Sequence, residues 1–481
     1  MIPRKFANRL VGLAILSVIV YFSWRPASQV KSARAQPLSQ EAVKIAISNM
    51  RLRHPSTGST ADKKSTALMT LGKRFFFDKK LSANGQVSCA TCHQPEKSFT
   101  DGRVTAVGIA TTGMNTPTLV NSYFGQWFFW DGRSDSLEAQ ALGPVENALE
   151  HGFSRVQVAT LIASDYKKEY EELFGRLPAA LPTDPAVRLP ASPHSMVSNE
   201  VAAYALATLG NQDFQKQVLK TAQSQSKQPV EILRTSSAGA PEPKTPFDQR
   251  PEAQKLEINI VFANFGRAVA EFERSIETTD SPFDLFADNV AKNEKNKGTN
   301  KEDLNSSFVA GFGAAELRGL ELFVGRGNCT LCHQGSHFTD QQFHNIGLMA
   351  LATDHVDLGR TQGMLIARNS EFNCRGKYLP QKSPSEGCRE LEFLETESAE
   401  AVGAFKTPTL RNLRDTGPYG HDGRFPKLID ILQHYNHLAM PPAVGHTEEL
   451  LLPLDFNQAE LHDLESLLMS LSGSVTFFKG G

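Results

Sequence analysis

The chain has 481 residues, 40% of them hydrophobic and 21% charged, a composition that indicates a globular protein of two or more domains and excludes a disordered or fibrous chain. Lys and Arg number 50 against 52 Asp and Glu, so the net charge of −2 offers no basic excess for phosphates, and we expect no nucleic-acid partner. Six cysteines in so long a chain cannot form the disulfide framework of a small secreted domain.

The first 35 residues have the features of an export signal. Positive charges within residues 4–9 precede a mostly apolar stretch, residues 10–24, and a small-residue cleavage sequence ends at Ala35. The apolar stretch is shorter than the roughly 20 residues that span a bilayer as a helix. We therefore predict that the protein is exported, with residues 1–35 acting as a cleaved signal peptide or as an uncleaved anchor.

Helical periodicity dominates the rest of the chain, and little of it alternates like a strand. Apolar residues at three- and four-residue steps predict an amphipathic helix over residues 256–277. A second such helix ends the chain, with Leu461, Leu464, Leu468 and Leu471 on one face and Asn457 and Glu460 as its capping box.

Two segments are predicted to interrupt this helical pattern. Prolines cluster at both edges of residues 176–255, which predicts an insertion with flexible edges and one helix over residues 201–219. Residues 288–307 are polar and predict a linker.

An internal repeat indicates two related domains. Residues 115–133 (NTPTLVNSYFGQWFFWDGR) match residues 406–424 (KTPTLRNLRDTGPYGHDGR) at a constant offset of 291 positions, which chance does not explain. The matched pairs are Thr116/Thr407, Pro117/Pro408, Asn121/Asn412, Asp131/Asp422 and Arg133/Arg424.

Two segments, residues 89–93 and 329–333, have the pattern Cys-x-x-Cys-His. In this pattern each thiol forms a thioether to a haem vinyl group, and the adjoining His is the proximal iron ligand. Chance would give about 0.002 occurrences in a chain of this composition. A zinc site would leave both histidines without a role, and a redox dithiol needs a βαβ context that is absent. We predict two covalently bound haem c groups, attached through Cys89, Cys92, Cys329 and Cys332, with His93 and His333 as iron ligands.

The other two cysteines, Cys374 and Cys388, lie fourteen positions apart and outside any haem motif. In an oxidising compartment their simplest role is a disulfide, worth about 3 kcal/mol by the loop-entropy estimate. A metal-binding pair is the alternative.

These motifs resemble the bacterial di-haem cytochrome c peroxidase family, which includes the di-haem enzyme that matures the tryptophan tryptophylquinone of methylamine dehydrogenase. The likeness covers residues 65–175 and 256–475. Its most specific segments are FFFDKKLSANGQVSCATCH (75–93), FFWDGR (128–133), LEAQALGP (137–144), FERS (272–275), LFVGRGNCTLCHQGSHFTD (322–340), and FKTPTLRN with TGPYGHDGR (405–424). The resemblance implies a mainly α fold with two cytochrome-c-like haem domains in the periplasm, one haem reacting with peroxide and the other passing electrons.

The resemblance also implies roles for individual residues. The first haem motif would hold the peroxidatic iron and the second the electron-transfer iron. Gln140, Pro144 and Glu150 match the distal pocket of the family, with Glu150 as its acid–base group, and Trp130 matches the Trp between the haems. The alternative interpretations are a helix-start carboxylate for Glu150 and a buried packing residue for Trp130.

Three further residues match the ligands of an interdomain calcium ion in the family. Asn115 would bind through its side chain, and Thr416 and Pro418 through their backbone carbonyls. Oxygen ligands of this kind suit calcium. A turn within the repeat is the alternative interpretation.

The repeat offset indicates how the two irons differ. It pairs Pro144, which cannot coordinate iron, with Tyr435, whose oxygen can. Tyr435 lies on the apolar face of a helix predicted over residues 426–437 and matches the sixth-ligand position of the family. We predict that Tyr435 ligates the second iron; the alternative is that it serves only as a core aromatic. His434 and His437 are rival donors, but helical spacing turns them away from the face that carries Tyr435.

The first iron is expected to be open. In many members of the family a loop His caps the peroxidatic iron until the other haem is reduced, but this sequence has no His between His93 and Trp130. His151, where the family usually has Met, is interpreted as a surface residue or a second proton donor.

We predict a peroxidase that reduces hydrogen peroxide to water with electrons from a small cytochrome c or cupredoxin. One alternative is peroxide-dependent oxidation of a partner protein's side chains, which Tyr435 and the missing loop His favour. Another is a non-enzymatic electron carrier, which gains nothing from an open iron. Residues 36–300 would form the peroxidatic domain and residues 301–481 the electron-transfer domain; a homodimer is left open.

Overall fold

The computed structural model describes residues 38–52, 63–179, 181, 247–296, 304–348, 357–379, 386–394 and 398–479. The export segment, the helix predicted at 201–219 and most of the Pro-rich insertion lie outside these residues. Residues 40–481 form one unit, which is mainly helical as predicted. No helix in the described ranges combines the length and apolar character that a membrane span needs. The predicted domain boundary near residue 300 stays a prediction.

The helices are α1 (Gln40–Met50), α2 (Lys63–Phe77), α3 (Cys89–Cys92), α4 (Leu137–Gln140), α5 (Gly143–Glu146), α6 (Arg155–Asp165), α7 (Lys167–Phe174), α8 (Glu252–Glu273), α9 (Pro282–Asn296), α10 (Ala314–Val324), α11 (Arg360–Asn369), α12 (Glu386–Glu392), α13 (Leu428–His437) and α14 (Gln458–Ser470). The strands are β1 (Glu277–Thr278), β2 (Phe343–His344), β3 (Phe405–Lys406) and β4 (Val475–Thr476). β1 pairs antiparallel with β4, and β2 with β3.

Helix α8 is the centre of the first half. It begins and ends four residues earlier than predicted, but the predicted apolar face is buried as expected: Ile258, Phe262, Phe265, Val269, Phe272 and Ile276. α2 crosses α8 at close range because Gly72 has no Cβ, which would otherwise lie 1.8 Å from the Ala268 carbonyl oxygen. This crossing places the first haem motif, which follows α2, beside the end of α8.

The second half repeats this arrangement with α10 and α14. A Cβ at Gly319 in α10 would lie 2.1 Å from the Asp463 carbonyl oxygen in α14, so a glycine again permits the close crossing. The predicted capping box of α14 is confirmed. Asn457 Oδ1 accepts hydrogen bonds from the N–H groups of Ala459 and Glu460, and the Glu460 carboxylate accepts one from the Asn457 N–H.

The repeated segments adopt the same backbone conformation. Asn121 and Asn412 both lie in the left-handed region, with φ of 60° and 61°. In both segments the Asp-Gly-Arg sequence carries an ion pair between its Asp and its Arg. The helices that follow start at equivalent positions, since α4 begins at Leu137 and α13 at Leu428. The 291-residue offset therefore holds in the structure as well as in the sequence.

The two helices then differ in length. α13 continues to His437, whereas α4 stops at Gln140 and a new helical turn, α5, begins at Gly143. Pro144 has no backbone N–H and so cannot donate the hydrogen bond that would continue α4. The first half therefore has a break where the second half has an unbroken helix.

The prediction of a linker at residues 288–307 is wrong over its first part. Residues 288–296 belong to α9, whose inner face is formed by Phe283, Phe286, Ala287 and Val290, all at most 5% exposed. These residues follow the i, i+3, i+4, i+7 spacing of a helix. The polar residues after position 290 hid this pattern because they lie on the solvent side.

The predicted disulfide between Cys374 and Cys388 is confirmed. Both cysteines are buried and pack with Trp127, Ala367 and Leu391. The bond thereby ties the stretch that is longer in the second half of the chain to a tryptophan of the first half.

Candidate active site

The two motif histidines are held in the same way. His93 Nδ1 lies 3.0 Å from the Phe99 carbonyl oxygen, and His333 Nδ1 lies 2.9 Å from that of Phe338. A carbonyl only accepts, so each Nδ1 carries the proton and each Nε2 presents its lone pair. Burial lowers the pKa of both rings, which keeps them neutral and able to ligate a metal.

A single helical turn brings the thiols and the imidazole of each motif together. The N–H of His93 donates to the Cys89 carbonyl at 2.9 Å, and that of His333 donates to the Cys329 carbonyl at 2.8 Å. The four thiols of these motifs are free. Two thiols beside one oriented imidazole is the donor set that a covalently attached haem requires, so the residues of both motifs fit haem c.

Glu150 lies beside the first cysteine pair. Its Oε1 accepts a hydrogen bond of 2.7 Å from Asn147 Nδ2. Burial raises the pKa of the Glu150 carboxyl, with Arg133 and Asn147 opposing the rise. Burial raises the pKa of the Cys92 thiol to about 12, and the negative charge of Glu150 contributes to that rise, so the two groups are within electrostatic reach. The carboxyl is thus held in place, and burial favours its protonated form more than in an exposed glutamate.

Gln140 has a buried acceptor without a partner. Its side chain is 8% exposed, and its Oε1 has no hydrogen-bond partner among the described residues. Because an unsatisfied buried oxygen costs free energy, a ligand or water is expected against it. Pro144 begins the short helix α5 after the break in α4, and its carbonyl accepts a hydrogen bond from the His151 N–H.

The loop that lacks a histidine packs directly against Glu150. A Cβ at Gly108 would lie 2.5 Å from the Glu150 backbone, and the Ile109 N–H donates to the Glu150 carbonyl at 2.9 Å. This loop therefore covers the Glu150 segment with backbone groups and small side chains, none of which is a strong iron ligand.

His151 is not a surface residue, since only 4% of it is exposed. Its Nδ1 lies 2.7 Å from the Leu81 carbonyl oxygen and so carries the proton. Burial lowers the pKa of the ring, which is neutral at physiological pH. The surface interpretation is wrong; the proton-donor interpretation stays a prediction.

Trp130 lies where the two halves of the chain meet. Its Nε1–H donates to the Asn115 carbonyl at 2.9 Å, and its own carbonyl accepts from the Lys406 N–H at 2.8 Å. Asn115 belongs to the first half and Lys406 to β3 of the second half. This position suits a residue between two haem groups, and it stays a prediction.

The predicted calcium ligands lie on adjoining segments. The Asn115 N–H donates to the His421 carbonyl at 2.9 Å, which joins Asn115 to the loop that contains Thr416 and Pro418. Asn115 Nδ2 donates to the Arg103 carbonyl at 2.8 Å, so the side-chain amide is fixed with its oxygen on the other side. Calcium binding by these residues stays a prediction.

Tyr435 lies beside the second cysteine pair, on α13. Burial raises the pKa of its hydroxyl, and the thiols of Cys329 and Cys332 contribute to the rise. The rival donors are occupied or remote, because His434 Nε2 lies 2.8 Å from the Ile346 carbonyl oxygen and His437 is exposed. Ligation by Tyr435 stays a prediction.

Sequence reasoning left Glu273 without a role, although it lies in the segment FERS. The structure buries it at 3% exposure near Cys89. The signal was present, since Glu273 follows Val269 by four residues and precedes Ile276 by three, which places a carboxyl on the apolar face of α8.

Comparisons with known proteins agree with this geometry. Residues 66–209 match the family model described as di-haem cytochrome c peroxidase. Over these residues the chain is similar to that family. It is 28% identical to the methylamine utilization protein MauG of Methylorubrum extorquens over 87% of this chain and 80% of the relative. It is 24% identical to the cytochrome-c peroxidase IdrP1 of Denitromonas iodatirespirans over 86% of this chain and 82% of the relative.

A solved structure supports the fold. The diheme peroxidase BthA from Burkholderia thailandensis matches with a TM-score of 0.52 at 18% identity, covering 85% of this chain and 86% of that one. The similarity to the di-haem cytochrome c peroxidase family and to relatives named cytochrome-c peroxidase indicates an oxidoreductase of the cytochrome-c peroxidase type and implies two haem c groups.

Proposed function

We propose that the protein is a periplasmic peroxidase that reduces hydrogen peroxide with electrons from a small cytochrome c or cupredoxin. The observation that carries this proposal is the difference between the two cysteine pairs. The first has a partly buried carboxyl, Glu150, beside it, and the same half of the chain carries an unpartnered amide oxygen on Gln140. The second has Tyr435 beside it, at the position that pairs with Pro144 of the first half. The first site can therefore exchange protons with a small substrate, whereas the iron of the second site would be closed by a protein ligand.

The residues of the first site divide the work of peroxide reduction, in which one peroxide, two protons and two electrons give two waters. The haem held by His93 supplies an iron that accepts peroxide and transfers electrons. Glu150 moves a proton from the near to the far peroxide oxygen, and Asn147 holds its carboxyl in place. Gln140 orients the peroxide by hydrogen bonding. The covering loop excludes bulk water from Glu150.

The second half supplies the electrons. Tyr435 would ligate the haem iron held by His333, and an anionic oxygen ligand favours the ferric state more than a Met would. Trp130 lies on the route between the halves. A calcium ion held by Asn115, Thr416 and Pro418 would fix the loops that meet around it. The shared turn conformations of the two halves support their origin by duplication.

A second candidate function is the oxidation of side chains on a partner protein. Two observations favour it: no histidine lies in the loop over Glu150, and Tyr435 is beside the second cysteine pair. Fast turnover with reduced cytochrome c supports the first candidate, whereas slow turnover together with oxidation of a partner supports the second.

Replacement of Glu150 by Gln tests the acid–base role. Glu150→Gln is expected to lower kcat with peroxide and reduced cytochrome c by about 10²–10⁴-fold, since the amide cannot move a proton. Glu146→Gln, on the same segment and paired at the surface with Arg155, is the matched control and keeps kcat near the wild-type value. An unchanged kcat in Glu150→Gln would contradict the assignment.

A further inference from the structure

Glu273, the last residue of α8, is a buried carboxyl that the proposed chemistry does not use. It is 3% exposed, and its Oε2 has no hydrogen-bond partner in the described part of the chain. Its neighbours Phe272 and Ile276 belong to the core cluster of the first half. The adjacent Arg274 does not neutralise it alone, because its guanidinium is shared with Glu138 at 2.7 Å and Glu271 at 3.4 Å.

Glu138 is a second, partly exposed carboxyl within electrostatic reach of Glu273. Glu138 lies on α4, which packs against α8, and its side chain is 23% exposed. Its Oε1 accepts from Arg274, but its Oε2 is buried and unpartnered within the described residues. A buried carboxylate oxygen without a donor costs about 1–3 kcal/mol. A proton on either carboxyl removes its charge and turns one oxygen from an acceptor into a donor.

The electrostatics place that proton on Glu273. Burial raises the pKa of Glu273 to about 8; Arg274 opposes the rise and Glu138 adds to it. The Glu273 carboxyl therefore keeps its proton to a higher pH than an exposed glutamate does.

On its inner side Glu273 reaches the first haem site. Cys89 packs against the same core cluster as Phe272. Burial raises the pKa of the Cys89 thiol, and Glu273 is the next largest contributor. Glu138 is thus within electrostatic reach of Glu273, and Glu273 is within reach of the first motif.

We propose that Glu273 is the inner carboxyl of a proton path that leads from Glu138 at the protein surface to the first haem site. Where Glu273 is ionised, its carboxylate would take up a proton from solvent through Glu138 as an electron from the donor reaches this site, and would release the proton on reoxidation. Only an O–H bond forms and breaks, and the buried region keeps its net charge. The use of this proton in peroxide reduction rests on the proposed function, whereas its uptake does not.

The test is a spectroelectrochemical titration of both haems in the holoprotein, at pH values on either side of 8. In the wild type the equilibrium constant for reduction of the first haem falls with rising pH, by as much as about tenfold per pH unit. Glu273→Gln removes this dependence. Glu271→Gln is the matched control, because Glu271 lies on the same helix end and pairs with Ser65 and Arg274, and it retains the dependence.

Glu150 and His151 also lie close to the first motif, and the same titration distinguishes their protonation from that of Glu273. Glu150→Gln retains the pH dependence near 8 if that dependence belongs to Glu273. His151 has a pKa below 6.5, so its titration lies outside this range. The second haem is the internal reference, and its potential does not respond to Glu273→Gln.

The path itself is tested by Glu138→Gln, a partly exposed position at which folding is preserved. Proton uptake after rapid reduction, followed with a pH-indicator dye, is expected to slow at least several-fold while the equilibrium titration stays close to the wild type. A wild-type pH dependence in Glu273→Gln, or an unchanged uptake rate in Glu138→Gln, overturns the proposal. If the wild type shows the pH dependence and the proton uptake but no peroxide turnover, the proposed function is wrong and the proton path is still supported.

Discussion

Arg411→Ala is expected to destabilise the protein strongly, because Arg411 is the partner of a fully buried carboxylate. The guanidinium of Arg411 bonds both oxygens of Asp284, at 2.6 and 3.0 Å, and the two side chains are 1% and 2% exposed. It also donates to the Met50 and Ser336 carbonyls at 2.9 Å. One side chain thereby ties α1, the start of α9 and the segment after the second haem motif.

The magnitude follows from what alanine leaves behind. Asp284 would keep only the hydrogen bonds from Ser281 and the Leu52 N–H and would stay buried as a charge. Removing one partner of a buried ion pair costs about 3–5 kcal/mol. A surface pair is worth far less, so Arg414→Ala, which breaks the exposed pair with Asp415, is expected to cost under about 1 kcal/mol.

Urea unfolding of the holoprotein measures this difference, with the slope of the transition as a check that the unfolded state is unchanged. The double variant Arg411→Ala/Asp284→Ala should cost less than the sum of the two single variants, because it removes the stranded charge. A loss below about 1 kcal/mol in Arg411→Ala, or additive single and double values, would refute the argument.

The pH dependence has a definite sign. Burial alone would raise the pKa of Asp284, but Arg411 and Ser281 hold it below its ordinary value of 3.8. Such a depressed carboxyl contributes stability that is present above pH 3.8 and is lost as the pH falls through the folded-state pKa. In Arg411→Ala the carboxyl protonates more readily, so the gap between wild type and variant should narrow in acid.

Two further predictions concern the haem ligand and the disulfide. Tyr435→Phe is expected to open the second iron, so that carbon monoxide binds both ferrous centres instead of one; binding to one centre only would argue against ligation by Tyr435. The double variant Cys374→Ser/Cys388→Ser is expected to lose about 3 kcal/mol in urea unfolding and to become insensitive to reductant, whereas the wild type shifts by the same amount on reduction.

Features with a local signal were predictable from the sequence. The haem motifs, the apolar face of α8 and the capping box of α14 each depend on residues a few positions apart, and the structure confirms the last two directly. The disulfide needed only a cysteine pair left over after the haem motifs were assigned.

Features that depend on distant contacts were not predictable. Arg411 and Asp284 are 127 positions apart and nothing in either neighbourhood marks them as partners. The carboxyl of Glu273 lies within a quoted motif, but its burial and its link to Glu138 arise only when α4 packs on α8. The extent of α9 was missed because a polar outer face was taken for a linker.

The internal repeat explains why equivalent positions carry different chemistry. The turns at Asn121 and Asn412 have the same backbone conformation in both halves. Different side chains at paired positions therefore change the chemistry of a site while the backbone around it stays the same. Pro144 ends α4 and removes a side-chain donor, while the paired Tyr435 lies on an unbroken helix beside its cysteines. On the proposed function, the helix break at one position and a Tyr ligand at the other would make one half reactive toward peroxide and the other suited to electron transfer. Restoring symmetry at this single pair is the most direct test of that difference.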